Sequence, residues 1–144
     1  MNTEQTYANH VRWYPLAHFV IAPLLALITA YQIVRLYQEP DLDRAFMVIL
    51  IFVMILINVA ARLQSLKAQD RVIRLEERLR YREVLKPSLS AAACKLSTGK
   101  MISLRFASDA ELPALIQRVV SGELRTSKEI KSAIKEWRGD YLRV

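Results

Sequence analysis

One cysteine, three glycines and two histidines in 144 residues leave few routes to chemistry. Cys94 alone cannot build an intrachain disulfide framework, and no C-x-x-C or Cys/His cluster stands ready for zinc. It reads as a small filler residue in a reducing compartment. No glycine-rich loop precedes Thr98-Gly99-Lys100, so that tripeptide does not end a phosphate-binding loop. The long apolar runs hold no paired carboxylates, which argues against ion or proton translocation. Asp109, Glu111, Glu123 and Glu129 are scattered among basic residues and read as caps and solvated faces. No catalytic constellation emerges from them. The expectation is a non-enzymatic protein without a cofactor.

What is present is distributed very unevenly. Residues 1–61 carry three basic and four acidic side chains, whereas residues 62–144 carry 18 basic and 10 acidic ones. Apolar mass lies in the first part and positive charge in the second. Such a split suggests a membrane anchor joined to an electrostatically active soluble part.

Two runs have the length and composition of membrane spans. Leu16–Tyr37 would rise about 33 Å as a helix, enough for a bilayer core. Trp13, Tyr14, Tyr31 and Tyr37 flank it as interfacial rings. Pro15 suits a helix start. Pro23 removes an N–H inside the run and should disturb the helix near Phe19. Ala45–Ala61 carries no charge, contains Asn58 as its one strongly polar group, and ends at Arg62. Between the runs, Glu39, Pro40 and Asp41 break the chain, and Asp41 or Asp43 is placed to cap the second helix. The result is a tight hairpin. Arg62, Lys67, Arg71, Arg74 and Arg78 follow the second run closely, and the connecting loop is acidic, so the positive-inside rule puts both termini in the cytoplasm. No cleavable signal peptide is evident. Burial of both runs in a soluble core is the competing reading, but so short a chain offers little surface to cover them.

Helical pattern continues past Arg62. Residues 62–86 contain no glycine or proline and are rich in Leu, Arg, Glu and Gln. Asp70–Arg74 and Glu76–Arg80 have the acid-before-base order at i,i+4 that favours helix. The second run should therefore extend unbroken to about Lys86 as a cytoplasmic stem. A seam spaced alternately by four and three runs along it: Met47, Ile51, Met54, Asn58, Ala61, Ser65, Ala68, Val72, Leu75 and Leu79. Its middle is small, allowing close approach of another backbone. One reading of Asn58, Ala61, Ser65, Ala68, Val72, Leu75 and Leu79 is an interface for oligomerisation or docking on another membrane subunit. The other is packing against the first span and the chain's own C-terminal helices.

Residues 87–144 read as a small helical module. Short helices are expected at Ser88–Leu96 and Gly99–Ala107, the latter capped by Ser97 or Thr98. A capping box of Ser108 with Glu111 should open a third, and Gly122 should stop it. Thr126 or Ser127 should cap a fourth, with Ile130, Ala133, Ile134 and Trp137 as its apolar stripe. Arg138-Gly139-Asp140 reads as a helix end and not as an adhesion tripeptide. The expected fold class is thus all-α: a transmembrane hairpin, a stem continuing the second span, and a helical C-terminal module.

The blocks QTYANHVRWYPLAHFVIAPLL, RVIRLEERLR, LRFASDAELPALIQR and KEIKSAIKEWRGDYLRV resemble a family of short bacterial membrane proteins known only as a domain of unknown function. The likeness spans nearly the whole chain. It implies a two-span protein of the bacterial inner membrane and assigns no functional residue.

Three functions remain open on the sequence. The first is a non-enzymatic accessory or scaffold subunit, holding a larger membrane complex or a second copy through the seam. In it, Arg62, Lys67, Arg71 and Arg74 would meet anionic lipid headgroups. The second is a haem-binding redox subunit using His18, near the start of the first span; the second span has no facing histidine, so two copies would each supply one. The third is a tethered binder of nucleic acid or acidic protein through residues 62–86, where eight basic residues stand among four acids. Interleaved acids and the want of an aromatic platform argue against nucleic acid.

Overall fold

The computed structural model describes residues 5–7 and 13–140. His10 and the ending Tyr141–Val144 lie outside them. Among the described residues every regular element is helical. The described residues form two compact units: Trp13–Leu66, and residues 5–7 with 67–140.

The first unit holds two apolar helices. A π-helical stretch, Leu16–Ile21, leads into α1 (Ala22–Gln38). The Ala22 N–H reaches back five residues to the Ala17 carbonyl. Pro23 has no N–H to offer Phe19, and the widened turns lie immediately before it, as such bulges do where the ladder is broken. The hydroxyl of Thr29 donates to the Leu25 carbonyl at 2.6 Å, so it leaves no orphan donor within the apolar run. In the turn, Arg35 and Arg44 both pair with Glu39, and Arg44 also donates to the Glu39 carbonyl at 2.6 Å. The Asp41 carboxylate accepts from the Asp43 N–H at 3.2 Å and caps α2 (Leu42–Val84), which begins three residues earlier than the apolar run.

Both helices are long and apolar enough to cross a membrane. Their apolar side chains are open on the protein: Phe19, Leu27, Phe46 and Phe52 are all exposed. Burial in a soluble core does not occur here.

The second unit is built on the C-terminal part of α2. It adds α3 (Pro87–Ala93), α4 (Thr98–Leu104), α5 (Leu112–Val120) and α6 (Ser127–Ala133). Tyr81 and Leu85 of α2 join Met101, Leu104, Phe106, Leu112, Ile116 and Ile130 in one apolar core. Helix α5 stops in a Schellman turn. Gly122 takes φ +83°, its N–H donates to Val119, and the Glu123 N–H donates to Arg118. Thr126 and Glu129 form a reciprocal capping box at the start of α6.

Two local expectations give way to long-range bonds. The Ser108 hydroxyl accepts from the Glu111 N–H at 3.3 Å, but helix begins only at Leu112. The Glu111 carboxylate instead accepts from the N–H groups of Lys135 and Glu136, at 3.1 and 3.2 Å. Helix α6 ends at Ala133, and Ile134 is extended. Trp137 is therefore not on a helical stripe. It pairs with Ala107 in an antiparallel bridge, and its ring lies 4.9 Å from that of Phe106. Residues 138–140 continue as a strap without regular structure rather than a helix end. The Arg138 N–H donates to the Phe106 carbonyl at 2.7 Å, and the Asp140 N–H donates to the Gln5 side chain at 2.7 Å.

Candidate functional site

Within the second unit, the last turns of α2 present two different faces. The inward one is charged as well as apolar. Arg80 is 7% exposed and acts as its hub. Its Nε donates to Asp109 at 2.7 Å, and its Nη2 donates to the Ala107 carbonyl at 2.7 Å. Its Nη1 lies 3.4 Å from the Glu77 carboxylate and 3.5 Å from the Arg105 carbonyl. The planar fork suits such multiple engagement, which an ammonium could not reproduce. Arg105 pairs with Asp140 at 3.3 Å, and its guanidinium lies 4.5 Å from the Phe106 ring centre.

The i,i+4 pairs expected from sequence do not form. Arg80 turns away from Glu76, and no Asp70–Arg74 pair occurs among the described residues. Burying the Arg80 stem against the module and satisfying two backbone carbonyls outweighs a solvent-exposed pair, which contributes little.

Burial raises the pKa of Glu77, against the opposing pull of Arg80, Arg138 and Arg105. Burial also raises that of Tyr81, reinforced by the charge of Glu77 one turn earlier. The Tyr81 hydroxyl is fully buried without a well-aligned hydrogen bond among the described residues. A groove of about 790 Å³ opens over this cluster, lined by Glu76, Glu77, Arg80, Glu83, Arg105 and Arg138 among others. Its lining sets five carboxylates against three arginines, and among the described residues Glu76 and Glu83 are in no ion pair. No cluster of three metal-ligating side chains occurs among the described residues.

The other face is the seam. Val72, Leu75 and Leu79 are 54%, 61% and 51% exposed, and Ala68 and Ser65 are open too. The C-terminal helices do not cover the distal seam; Tyr81 and Leu85 join their core instead, and Arg80 binds Ala107 and Asp109. Packing against the chain's own module, one of the two sequence readings, is thereby excluded for Val72, Leu75 and Leu79. In the apolar unit, Asn58 is half-buried and Ala61 is exposed, and the Ser65 hydroxyl donates to the Ala61 carbonyl at 2.9 Å. Arg71 and Lys67 are exposed, while Arg62 and Arg74 are half-buried.

His18 is half-buried. Its Nδ1 lies 2.9 Å from the Tyr14 carbonyl, and the ring sits edge-on to Trp13 at 5.0 Å. Cys94 is a free, half-buried thiol beside the core. The residues missed by sequence reading are Arg80, Arg105, Asp109 and Asp140. Each looked like an ordinary surface charge, because its partner lies 29 or 35 positions away.

No curated protein and no solved structure matches the chain. A family model does, over residues 1–144, and the chain belongs to that family, described as a family of unknown function (DUF6526).

Proposed function

We propose that this protein is a non-enzymatic scaffold of the bacterial inner membrane. Its hairpin inserts with both termini in the cytoplasm, and its stem holds a partner through the seam. The observation that carries the reading is the exposed apolar stripe Val72, Leu75 and Leu79, lying outside the apolar run on a helix whose other face is already packed. Three large aliphatic side chains aligned on one stripe are costly to leave in water, at about 1.5–3 kcal/mol each for full burial. Asn58 adds support: among the described residues its amide has no hydrogen bond, and an amide at that depth favours a partner. Arg62, Lys67, Arg71 and Arg74 suit contact with anionic headgroups. The charged cluster around Arg80 supports the same reading, because its groups are spent on holding the module to the stem.

The test is native electrophoresis of the full chain in mild detergent. Replacing Val72, Leu75 and Leu79 together with serine should release the partner and speed migration. Unchanged migration would exclude the seam as an interface.

A further inference from the structure

Resting on the scaffold reading, we propose that the partner at the seam is a second copy of this chain, paired with the first in parallel and in register as a short two-stranded coiled coil.

The heptad register places Ala68 and Leu75 at d, and Val72 and Leu79 at a. Val72 at a with Leu75 at d is the combination that favours two parallel strands. Continued upward in sequence, the same register puts Asn58 at an a position, where a polar residue specifies alignment in parallel pairs.

Between Gln69 and Val84 the buried residues fall at positions that a coiled coil leaves outside; Leu85, just past the helix, is buried at g. Ile73 and Arg80 fall at b, Tyr81 at c, and Glu77 and Val84 at f; the first four are buried and Val84 packs on the core. Val72, Leu75, Leu79, Arg71, Glu76 and Glu83 at a, d, g and e are exposed. The helix is thus ordered by contacts that do not compete with pairing, and pairing need not order it again.

Charge selects the orientation. In a parallel pair each g residue faces the e residue five positions on in the other helix. Arg71 then meets Glu76 of the other copy, and Arg78 meets Glu83, on both sides of the seam. In an antiparallel pair g faces g and e faces e, which would set arginine against arginine and glutamate against glutamate. Among the described residues none of these four is in an ion pair within the chain. Arg78 is half-buried, and its Nε is covered without a hydrogen bond. Glu76 and Glu83 stand at the edge of the charged groove, where the other copy's arginines would close it. Arg71 then serves the pair and not a lipid headgroup.

Two full-length copies with different tags, purified together in mild detergent, test this. Wild-type copies should co-purify. Arg71→Glu with Arg78→Glu makes every facing position acidic, and Glu76→Arg with Glu83→Arg makes every one basic. Each double variant alone should lose association by about tenfold or more. Mixed together, the two should regain it, which a variant that merely misfolds cannot do. Ala68→Cys in a Cys94→Ala background should cross-link between copies, since equivalent d residues meet only in a parallel, in-register pair. Copies that co-purify without rescue on mixing and without the cross-link would overturn the arrangement. Tagged copies that never co-purify, while the serine variants still change migration, would mean that the seam holds a different protein; the scaffold reading would then survive and this proposal would not. Serine variants that migrate unchanged would remove both.

Discussion

The Nη2 of Arg80 and the backbone carbonyl of Ala107 are joined at 2.7 Å across 27 positions of sequence. Through that bond, and through the Asp109 pair at 2.6 Å, one helical side chain fastens the loop between α4 and α5 to the stem. A guanidinium so deeply buried is stable only with its acceptors in place, because stripping water from it is costly. The same atoms that look like surface charge in the sequence are the polar centre of the module.

Arg80→Met should therefore destabilise the module by about 3–5 kcal/mol, since it leaves Glu77 buried without its cation and two carbonyls without a donor. Thermal unfolding of the full chain in detergent checks it. Arg80→Lys should recover only part of the loss, because one ammonium cannot reach all of the acceptors.

Glu77 makes stability depend on pH in a direction opposite to an ordinary paired carboxylate. Burial raises its folded pKa above the ordinary glutamate value, so between that value and the raised one the folded state holds more protons than the unfolded state. Stability conferred by this group is then full below the unfolded pKa and is lost as pH rises through the folded one. Glu123, held down by Arg118, and Glu129, held down by the backbone of Arg125 and Thr126, act in the other direction: their stabilisation is present above the unfolded value and fades as pH falls. The difference between wild type and Glu77→Gln isolates the first effect. Wild type should lose ground relative to the variant as pH rises above about 4.5, in melting curves taken across pH. A flat difference would contradict the burial argument.

Gly122→Ala should cost about 1 kcal/mol of stability. A Cβ there would meet nothing within 4 Å, so the whole effect comes from the left-handed backbone at φ +83°. Denaturant midpoints measure it.

Glu111→Ala should cost about 1–2 kcal/mol by leaving the N–H groups of Lys135 and Glu136 without their acceptor. Amide exchange should rise at those two positions before it rises in α5. If Glu111 were instead acting as the cap of its own helix, exchange would rise first at residues 108–112.

Leu75→Ser should change the melting temperature of the dissociated chain by little, within about 0.5 kcal/mol, because the residue is 61% exposed. Its effect should fall on association instead. A large loss of monomer stability would show that the seam is part of the chain's own fold.

The helices, and much of where they stop, were legible from residues close in sequence. Apolar runs of sufficient length make α1 and the first part of α2, and the absence of glycine and proline carries α2 on to Val84. Asp41, Gly122 and Thr126 act where short-range capping rules place them, since a cap needs only partners two to five residues away. The heptad spacing of Ala68, Val72, Leu75 and Leu79 is equally local.

What needed the folded chain was the choice among partners. Glu76 or Asp109 for Arg80, Ser108 or the backbone of Lys135 and Glu136 for Glu111, and helix or bridge for Trp137 are each decided by groups many positions away. Local rules rank such options by small surface energies, and burial in a shared core overrides them. The same packing decides which face of α2 stays open. Periodicity marks the stripe along α2, but only the module's seat on Tyr81 and Leu85 leaves Val72, Leu75 and Leu79 uncovered.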